Sequence, residues 1–200
     1  MSCSLVGSEM CIRDRNMTGQ YPWKGILGGD GMEVQIDSRN PNIVFTGSQF
    51  GFYARLDLDT GRRKSIKPIH ELGNSPFRFN WQTPILLSPH NQDVLYLGSN
   101  FLHKSSNQGD DWQTISEDLT SGGKKGNVPY GTITTISESP VKEGVLYTGS
   151  DDGLVYVSKN SGKTWKNISG NLPKELWVSN VYASNHDEKV VYLSLDGYRW

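Results

Sequence analysis

The sequence predicts an all-β fold in which one four-stranded unit is repeated along the chain. Three segments align without gaps and end in Gly-Ser, at 43–48, 94–99 and 145–150, and 190–194 is a looser fourth copy. Their aromatic residues give the period: Phe45 to Tyr96 and Tyr96 to Tyr147 are each 51 positions, and Tyr147 to Tyr192 is 45. Self-similarity at such a period indicates an array of equivalent units.

Each unit contains the signals of four antiparallel strands. A strand-like run (32–36, 83–87 or 132–136) leads into a turn rich in Pro, Asn or Asp, and the aligned segment follows as the second strand. Third strands begin at Phe101 and Leu154, and final strands are expected at 113–116 and 166–169. Four strands in roughly 40 to 50 residues, repeated head to tail, are typical of β-propeller blades.

The period predicts a partial propeller of about three and a half four-stranded blades. We expect the blades at about 28–66, 79–117 and 130–169, with an incomplete blade at 177–200. Such an array leaves sheet edges open, so we expect a fragment whose native termini lie elsewhere.

Residues 1–15 resemble a translated sequencing-adapter segment, and we expect them not to belong to the natural protein. The alternative is a natural amino-terminal extension, although the segment shows neither strand alternation nor a long apolar run. Cys3 and Cys11, the two cysteines of the sequence, both lie here. The remaining chain therefore offers no disulfide or thiolate-metal chemistry.

Composition argues against several classes of partner. The net charge is −1, and no dense basic stretch suggests nucleic acid as a partner. No apolar run approaches the roughly 20 residues of a membrane-spanning helix. The four histidines have no metal-ligand spacing and are expected at the surface or in loops, and we expect neither a metal nor a cofactor.

Two octapeptides ending in Trp, 105–112 and 158–165, resemble the Asp-box of the bacterial neuraminidase repeat superfamily, with Asn in place of its Asp. The resemblance implies a structural turn in which a polar side chain caps backbone amides, Gly adopts a positive φ and Trp is buried between neighbouring blades. The residues concerned are Ser105, Asn107, Gly109, Trp112, Ser158, Asn160, Gly162, Thr164 and Trp165. The first blade has a different hairpin turn at 56–61.

The chain from about residue 28 onward resembles sortilin-like (Vps10-like) and glycosyl-hydrolase-like bacterial repeat proteins. The resemblance rests on Gly-Gly-Asp-Gly at 28–31, on 79–85, on the two Val-Leu-Tyr-x-Gly-Ser strings and on 130–136. It implies an extracytoplasmic, non-catalytic propeller that binds a carbohydrate or a peptide or protein ligand, its signal peptide not present in this fragment. The alternative is a glycoside hydrolase of the xyloglucanase-like two-carboxylate type.

Hydrolysis by that route needs two carboxyl groups that face each other. Asp30, Asp151 and Asp152 are the candidates, although each can equally serve as a turn former. Gln49 stands where the resemblance to xyloglucan-degrading relatives implies an Asp, and an amide cannot accept the proton. A sialidase would need an arginine triad that the sequence does not show. These observations favour binding over hydrolysis.

Propellers commonly bind ligands on the face that carries the loops into each inner strand and between the second and third strands. The loop 77–81 alternates aromatic and polar residues there, so Arg78 and Asn80 should point to one side and Phe77, Phe79 and Trp81 to the other. Either the loop is an aromatic anchor with solvated polar residues, or Arg78, Asn80 and Trp81 form a ligand platform. Gln49 and Asn100 follow second strands on the same face and complete the binding candidates.

Overall fold

The computed structural model describes residues 25–197, and within that range the chain forms strands and no helix. Fourteen strands form four antiparallel sheets, each built from consecutive strands of the chain. The predicted all-β class is confirmed. The expectations for residues 1–15, including Cys3 and Cys11, and for residues 198–200 lie outside the described residues.

The first sheet contains β1 (Val34–Ile36), β2 (Ile43–Ser48), β3 (Phe52–Asp57) and β4 (Arg63–Ser65). The second contains β5 (Ile85–Leu87), β6 (Leu95–Gly98), β7 (Leu102–Ser105) and β8 (Gln113–Thr114). The third contains β9 (Ile133–Glu138), β10 (Leu146–Ser150), β11 (Val155–Ser158) and β12 (Lys166–Asn167). In the fourth, β13 (Trp177–Ala183) pairs with β14 (Val191–Asp196). Strands follow chain order within every sheet, so each sheet is a meander.

The outer strands β8 and β12 are shorter than the sequence predicted. In the second sheet the backbone ladder ends at Ile115, and the Ser116 hydroxyl accepts the Leu102 amide at 2.8 Å. Ser169 accepts the Val155 amide at 2.7 Å in the same way. A side-chain oxygen thus takes the place of the backbone carbonyl and ends the regular pairing.

The second strands of the inner blades are buried along their whole length. Every residue of β6 and β10 is buried, whereas β14 alternates half-buried and exposed positions. The second and third sheets are covered on both faces by neighbouring sheets, and this removes the period-2 pattern. The fourth sheet packs on one face, through Val181 and Ala183, against the third.

The glycine of the repeated Gly-Ser faces the next blade in β6 and β10, whereas Gly47 in β2 faces Tyr53 of its own sheet. A Cβ on Gly98 would lie 2.9 Å from Ile133 Cγ2 and a Cβ on Gly149 would lie 2.3 Å from Val178 Cγ1. Both distances are shorter than carbon atoms tolerate, so a larger residue would push the blades apart.

First strands of successive sheets lie beside one another, and side chains of one strand bind the backbone of the next. Glu33 and Gln35 accept hydrogen bonds from the amides of Ile85 and Leu87 in β5. Thr135 and Ser137 in β9 accept the amides of Val181 and Ala183 in β13. These contacts satisfy amides on the inner strand edges, as buried backbone groups require.

Candidate functional site

The inner strands enclose a concave space of about 280 Å³ to which all four sheets contribute. Glu33 and Gln82 lie just before β1 and β5, and the other lining residues belong to β9 and β13. The lining residues are Glu33, Gln82, Thr134, Thr135, Trp177, Ser179 and Asn180. We call this space the central site. Two larger grooves, of about 840 and 770 Å³, lie between neighbouring sheets along the outer strands.

Glu33 is the acidic residue among the described residues that line the central site. Its Oε2 accepts the Ile85 amide at 3.2 Å. Burial raises the pKa of the Glu33 carboxyl, because the charged form loses water, and the single amide offsets this only in part. A carboxyl with a shifted pKa in a cleft marks a candidate functional group. Glu33 was not among the sequence candidates, although Glu33 and Gln35 alternate with Val34 and Ile36 in a predicted inner strand.

Beneath Glu33 lies a buried tyrosine. The Tyr53 hydroxyl donates to the Thr83 carbonyl oxygen at 2.7 Å. Burial, followed by the negative charge of Glu33, raises the pKa of Tyr53. The hydrogen bond to Thr83 ties β3 to the residues just before β5, next to Gln82 of the central site.

Two threonines position the β13 side of the central site. Thr134 Oγ1 donates to the Val178 carbonyl at 2.6 Å, while Thr135 Oγ1 accepts the Val181 amide at 3.2 Å. Between these two contacts the pairing of β13 with β14 shifts register, between Val178 and Asn180. A bulge of this kind re-aims side chains, and here it lies where Ser179 and Asn180 line the central site.

Asp151 and Asp152 are not placed for acid-base chemistry. The Asp151 carboxylate is 1% exposed and accepts the amides of Gly131 and Thr132 and the Thr132 hydroxyl. Asp152 is 5% exposed and accepts both the amide and the hydroxyl of Ser121, with Ser150 on its other oxygen. Both carboxylates therefore join loops that are 19 to 31 positions apart, a structural role wider than the local turn-forming role expected from the sequence.

Asp30 and Gln49 lie together near the first sheet, because Gln49 Nε2 donates to Asp30 Oδ2 at 3.3 Å. Asp30 is exposed. The amide oxygen of Gln49 is buried and has no hydrogen-bond partner among the described residues. Of the three candidate aspartates, Asp30 is thus the one that solvent reaches freely.

Arg78 and Asn100 belong to one hydrogen-bond network that ties loops of the second and third sheets together. The Arg78 guanidinium donates to Asp118 at 2.7 Å, to Thr120 at 3.0 Å and to the Gly131 carbonyl at 3.0 Å. Asn100 accepts the Arg78 amide and donates to Asp118. Arg78 was expected to be solvated or to bind ligand. The structure instead uses it to join neighbouring loops, since these groups occupy its guanidinium.

The other residues of loop 77–81 are not distributed between core and solvent as the sequence predicted. Asn80 is 2% exposed and donates to the Thr132 hydroxyl at 2.8 Å, so it is a buried structural residue. Phe77 and Phe79 pack on the core as expected, but Trp81 does not join them. Trp81 is 45% exposed and meets the Phe50 ring edge-on at 5.0 Å between centroids. Trp81 is the exposed member of the predicted platform.

The turns that end in Trp have matching geometry in two blades. Ser105 Oγ accepts the Gly109 amide at 2.8 Å, and Asn107 Oδ1 accepts the Asp111 amide at 2.9 Å. In the next blade Ser158 accepts the Gly162 amide and Asn160 accepts the Thr164 amide, both at 2.9 Å. Gly109 and Gly162 each have φ of +87°. In both turns the side-chain oxygens satisfy amides that the tight backbone leaves unpaired.

Trp112 and Trp165 were expected to be buried, and the structure corrects this, because both are half-buried. Each ring packs against a core cluster, and each indole N–H donates to the preceding blade. The indole N–H needs a hydrogen-bond acceptor, because each ring lies at the boundary between the core and solvent. His103, expected at the surface or in a loop, instead lies in β7 and is 1% exposed.

Within residues 25–197, no cluster of three or more His, Cys, Asp or Glu side chains could hold a metal ion. Over the same range, no helix has the length and apolar character needed to cross a membrane. The described residues that line the central site carry carboxyl, amide, hydroxyl and indole groups.

No protein-family model matches the chain, and no curated protein matches it. Solved structures do match. An ancestral GH74 enzyme is 19% identical, with 86% of this chain and 23% of that one covered and a TM-score of 0.58. The extracellular domain of a one-component system protein of B. thetaiotaomicron is 16% identical (83% and 20% covered, TM-score 0.57). YCF48 bound to D1 peptide is 14% identical (76% and 44% covered, TM-score 0.51).

These proteins are β-propeller-like, and at such identities the likeness concerns the fold alone. This chain spans less than half the length of each of them. This chain forms four meander sheets that lie side by side with their inner strands in contact. This is the architecture of successive propeller blades. The chain is thus an all-β, partial β-propeller.

Proposed function

We propose that the chain is part of an extracytoplasmic, non-catalytic propeller that binds a carbohydrate at the central site. The observation that carries the proposal is the lining of that site. Gln82, Ser179 and Asn180 offer uncharged donors and acceptors, and Trp177 adds an aromatic surface. Sugar hydroxyls match amide and hydroxyl groups, while the apolar face of a sugar ring matches an indole.

Binding is favoured over hydrolysis because one acidic side chain, not two, is found among the described residues that line the central site. A hydrolase of the two-carboxylate type needs a second carboxyl within about 10 Å, facing the first across the substrate. Glu33 has no acidic companion among the described lining residues, and Asp151 and Asp152 are occupied by loop amides and hydroxyls. The extracellular location of one structural neighbour supports an extracytoplasmic assignment.

The proposal is tested by screening neutral, acidic and amine-bearing oligosaccharides for binding, with Gln82→Ala as the site variant. Gln113→Ala is the matched control, because both glutamines are exposed and Gln113 lies on the outer strand β8. We expect Gln82→Ala to weaken binding several-fold and Gln113→Ala to leave it unchanged. Binding of no oligosaccharide, or equal losses in both variants, would contradict a carbohydrate site at this position.

A glycoside hydrolase is the second candidate, and the raised pKa of Glu33 is the observation that favours it. A carboxyl with a raised pKa holds its proton to a higher pH than an ordinary glutamate, as a general acid needs. The GH74 neighbour supports the same reading. Incubation with polysaccharides decides between the candidates. Release of reducing ends that Glu33→Gln abolishes would establish hydrolysis, and absence of release alongside measurable binding supports a binding protein. A peptide ligand, as YCF48 has, is the outcome if only peptides bind.

A further inference from the structure

Glu33 lines the central site, and the structure shows no ion pair for it among residues 25–197. No Lys, Arg or His is among the described residues that line the site. The carboxyl is half-buried, and the described residues give it one hydrogen bond, from the Ile85 amide. A carboxylate that has lost water and has no counter-charge is costly, so a ligand that brings a positive group would relieve this cost.

The groups around Glu33 suit an ammonium group better than a metal ion. Calcium takes 6–8 oxygen ligands, usually including several carboxylates, and the described residues hold no such acidic cluster here. An ammonium has three donors, which the Glu33 carboxylate and the amide oxygens of Gln82 or Asn180 can accept. Trp177 adds an aromatic ring, whose face attracts cations.

The uncharged groups decide which amine fits. Ser179 Oγ is already bonded to Ser194 Oγ at 2.9 Å, and Asn180 Oδ1 accepts a long hydrogen bond of 3.5 Å from Thr135 Oγ1. The side-chain amide of Gln82 and the amide N–H groups of Asn180 remain for a ligand. A lysine side chain would match Glu33 and Trp177 but has no hydroxyl for these amides, whereas a sugar ring that carries an amine offers hydroxyls to them and its ammonium to Glu33. The volume of about 280 Å³ is at the small end for ligand sites and suits one sugar unit of a chain.

We infer that the central site takes an amino sugar whose free ammonium group pairs with the Glu33 carboxylate. The inference rests on the proposed carbohydrate-binding function and adds a charge preference to it. Glu33 is then the residue that sets specificity, while Gln82 and Asn180 contribute binding that does not depend on ligand charge.

The test compares the glucosamine tetramer with the N-acetylglucosamine tetramer by calorimetry, at a pH that keeps the amines protonated. Acetylation removes the charge and keeps the sugar chain, so the two are matched probes. We expect the wild-type protein to bind the glucosamine tetramer about tenfold more tightly, and Glu33→Gln to lose that preference. Gln82→Ala should weaken both tetramers and keep the preference. Melting temperatures check that Glu33→Gln folds. If it does not, Glu33→Asp takes its place and should reduce the preference, because the shorter side chain holds the carboxylate farther from the ligand.

Several outcomes would overturn the inference. Equal affinity of the wild-type protein for both tetramers would show that Glu33 does not discriminate between charged and uncharged sugars. A preference for the glucosamine tetramer that Glu33→Gln retains would show the same. Neither result would contradict carbohydrate binding itself. Tighter binding of a lysine-bearing hexapeptide than of the glucosamine tetramer would replace the sugar with a peptide. Binding of no oligosaccharide from the wider screen would remove the proposed function and this inference together.

Discussion

The indole Nε1 of Trp112 donates a hydrogen bond of 2.7 Å to the Ile66 carbonyl oxygen, and Trp165 repeats the contact on Ile115 at 2.9 Å. Ile66 and Ile115 follow the outer strands of the preceding blades. A Cβ on Gly109 or Gly162 would meet the same two isoleucines, at 2.8 and 2.7 Å. Each turn that ends in Trp is therefore fitted to the blade before it, and it joins neighbouring sheets at the outer edge.

We expect Trp165→Phe to lower the free energy of unfolding by about 1–2 kcal/mol, because the Ile115 carbonyl loses its donor while most ring packing remains. Trp165→Ala should cost about 3 kcal/mol, the lower end for such a truncation, because the ring is only half-buried. Urea denaturation of both variants measures this, with Trp81→Ala as the exposed control. A loss for Trp81→Ala as large as that for Trp165→Ala would mean that the aromatic loop is structural.

Gly149 is expected to tolerate no side chain. Its added Cβ would lie 2.3 Å from Val178 Cγ1, so Gly149→Ala should destabilise the protein by about 3 kcal/mol through overpacking between the third and fourth sheets. Gly170→Ala is the control, since nothing lies within 4 Å of its added Cβ. Adding Val178→Ala to Gly149→Ala should restore part of the loss. A double variant no more stable than Gly149→Ala would show that the contact with Val178 is not the cause.

His103 should make stability depend on pH. Its Nε2 lies 2.8 Å from Ser99 Oγ and its Nδ1 3.1 Å from Thr114 Oγ1, and burial lowers its pKa to about 4. Below pH 6.5, the pKa of histidine in the unfolded chain, His103 is protonated in the unfolded chain but stays neutral in the folded protein until the pH approaches 4. Stability contributed by His103 is therefore present above pH 6.5 and lost as the pH falls toward 4, by about 1.4 kcal/mol per pH unit.

Denaturation curves between pH 7 and pH 5 check the His103 prediction, and His103→Gln is the comparison because it cannot titrate. Carboxylates with lowered pKa values, such as Asp37 and Asp118, lose their contributions at lower pH than this window. Glu33, whose pKa is raised, contributes alike to both proteins. The wild-type protein should therefore lose stability relative to His103→Gln as the pH falls across the window. Parallel slopes for the two proteins would contradict the assignment to His103.

The variant Asp151→Asn distinguishes a structural role of the Asp151 carboxylate from a catalytic one. Its oxygens accept three hydrogen bonds, and an amide group in its place would direct donors at the Thr132 hydroxyl or backbone amides. We expect a loss of about 1–3 kcal/mol in stability and unchanged affinity for any oligosaccharide that binds. Asp30→Asn, at an exposed position, should keep the wild-type melting temperature. Unchanged stability of Asp151→Asn together with lost activity would restore Asp151 as a catalytic candidate.

Much of the fold could be read from the sequence, because it depends on local patterns that recur. The interval between Phe45, Tyr96 and Tyr147 and the turn residues between strands predict consecutive meander sheets. The outer strands were overestimated, since the Ser116 hydroxyl competes with the backbone in a way that strand propensity does not show.

The candidate site depended on contacts between blades, which sequence spacing does not report. Asp151 and Asp152 occur in the sequence as plausible acids, yet neighbouring loops 19 to 31 positions away occupy their oxygens. Arg78 is 53 positions from the Gly131 carbonyl that it binds. Which residues become partners depends on how the sheets pack against one another. The sequence of a single chain does not give the distances between its sheets.

By itself the sequence determined the all-β class, the repeat and the turns, because these follow from backbone preferences within about ten neighbouring residues. Only the tertiary structure decided that Glu33, Gln82, Trp177 and Asn180, which span 147 positions of sequence from Glu33 to Asn180, line one space. The physical reason is that the inner strands of four separate sheets converge there. Burial then gives Glu33 the raised pKa that distinguishes it from other acidic residues in turns and strands.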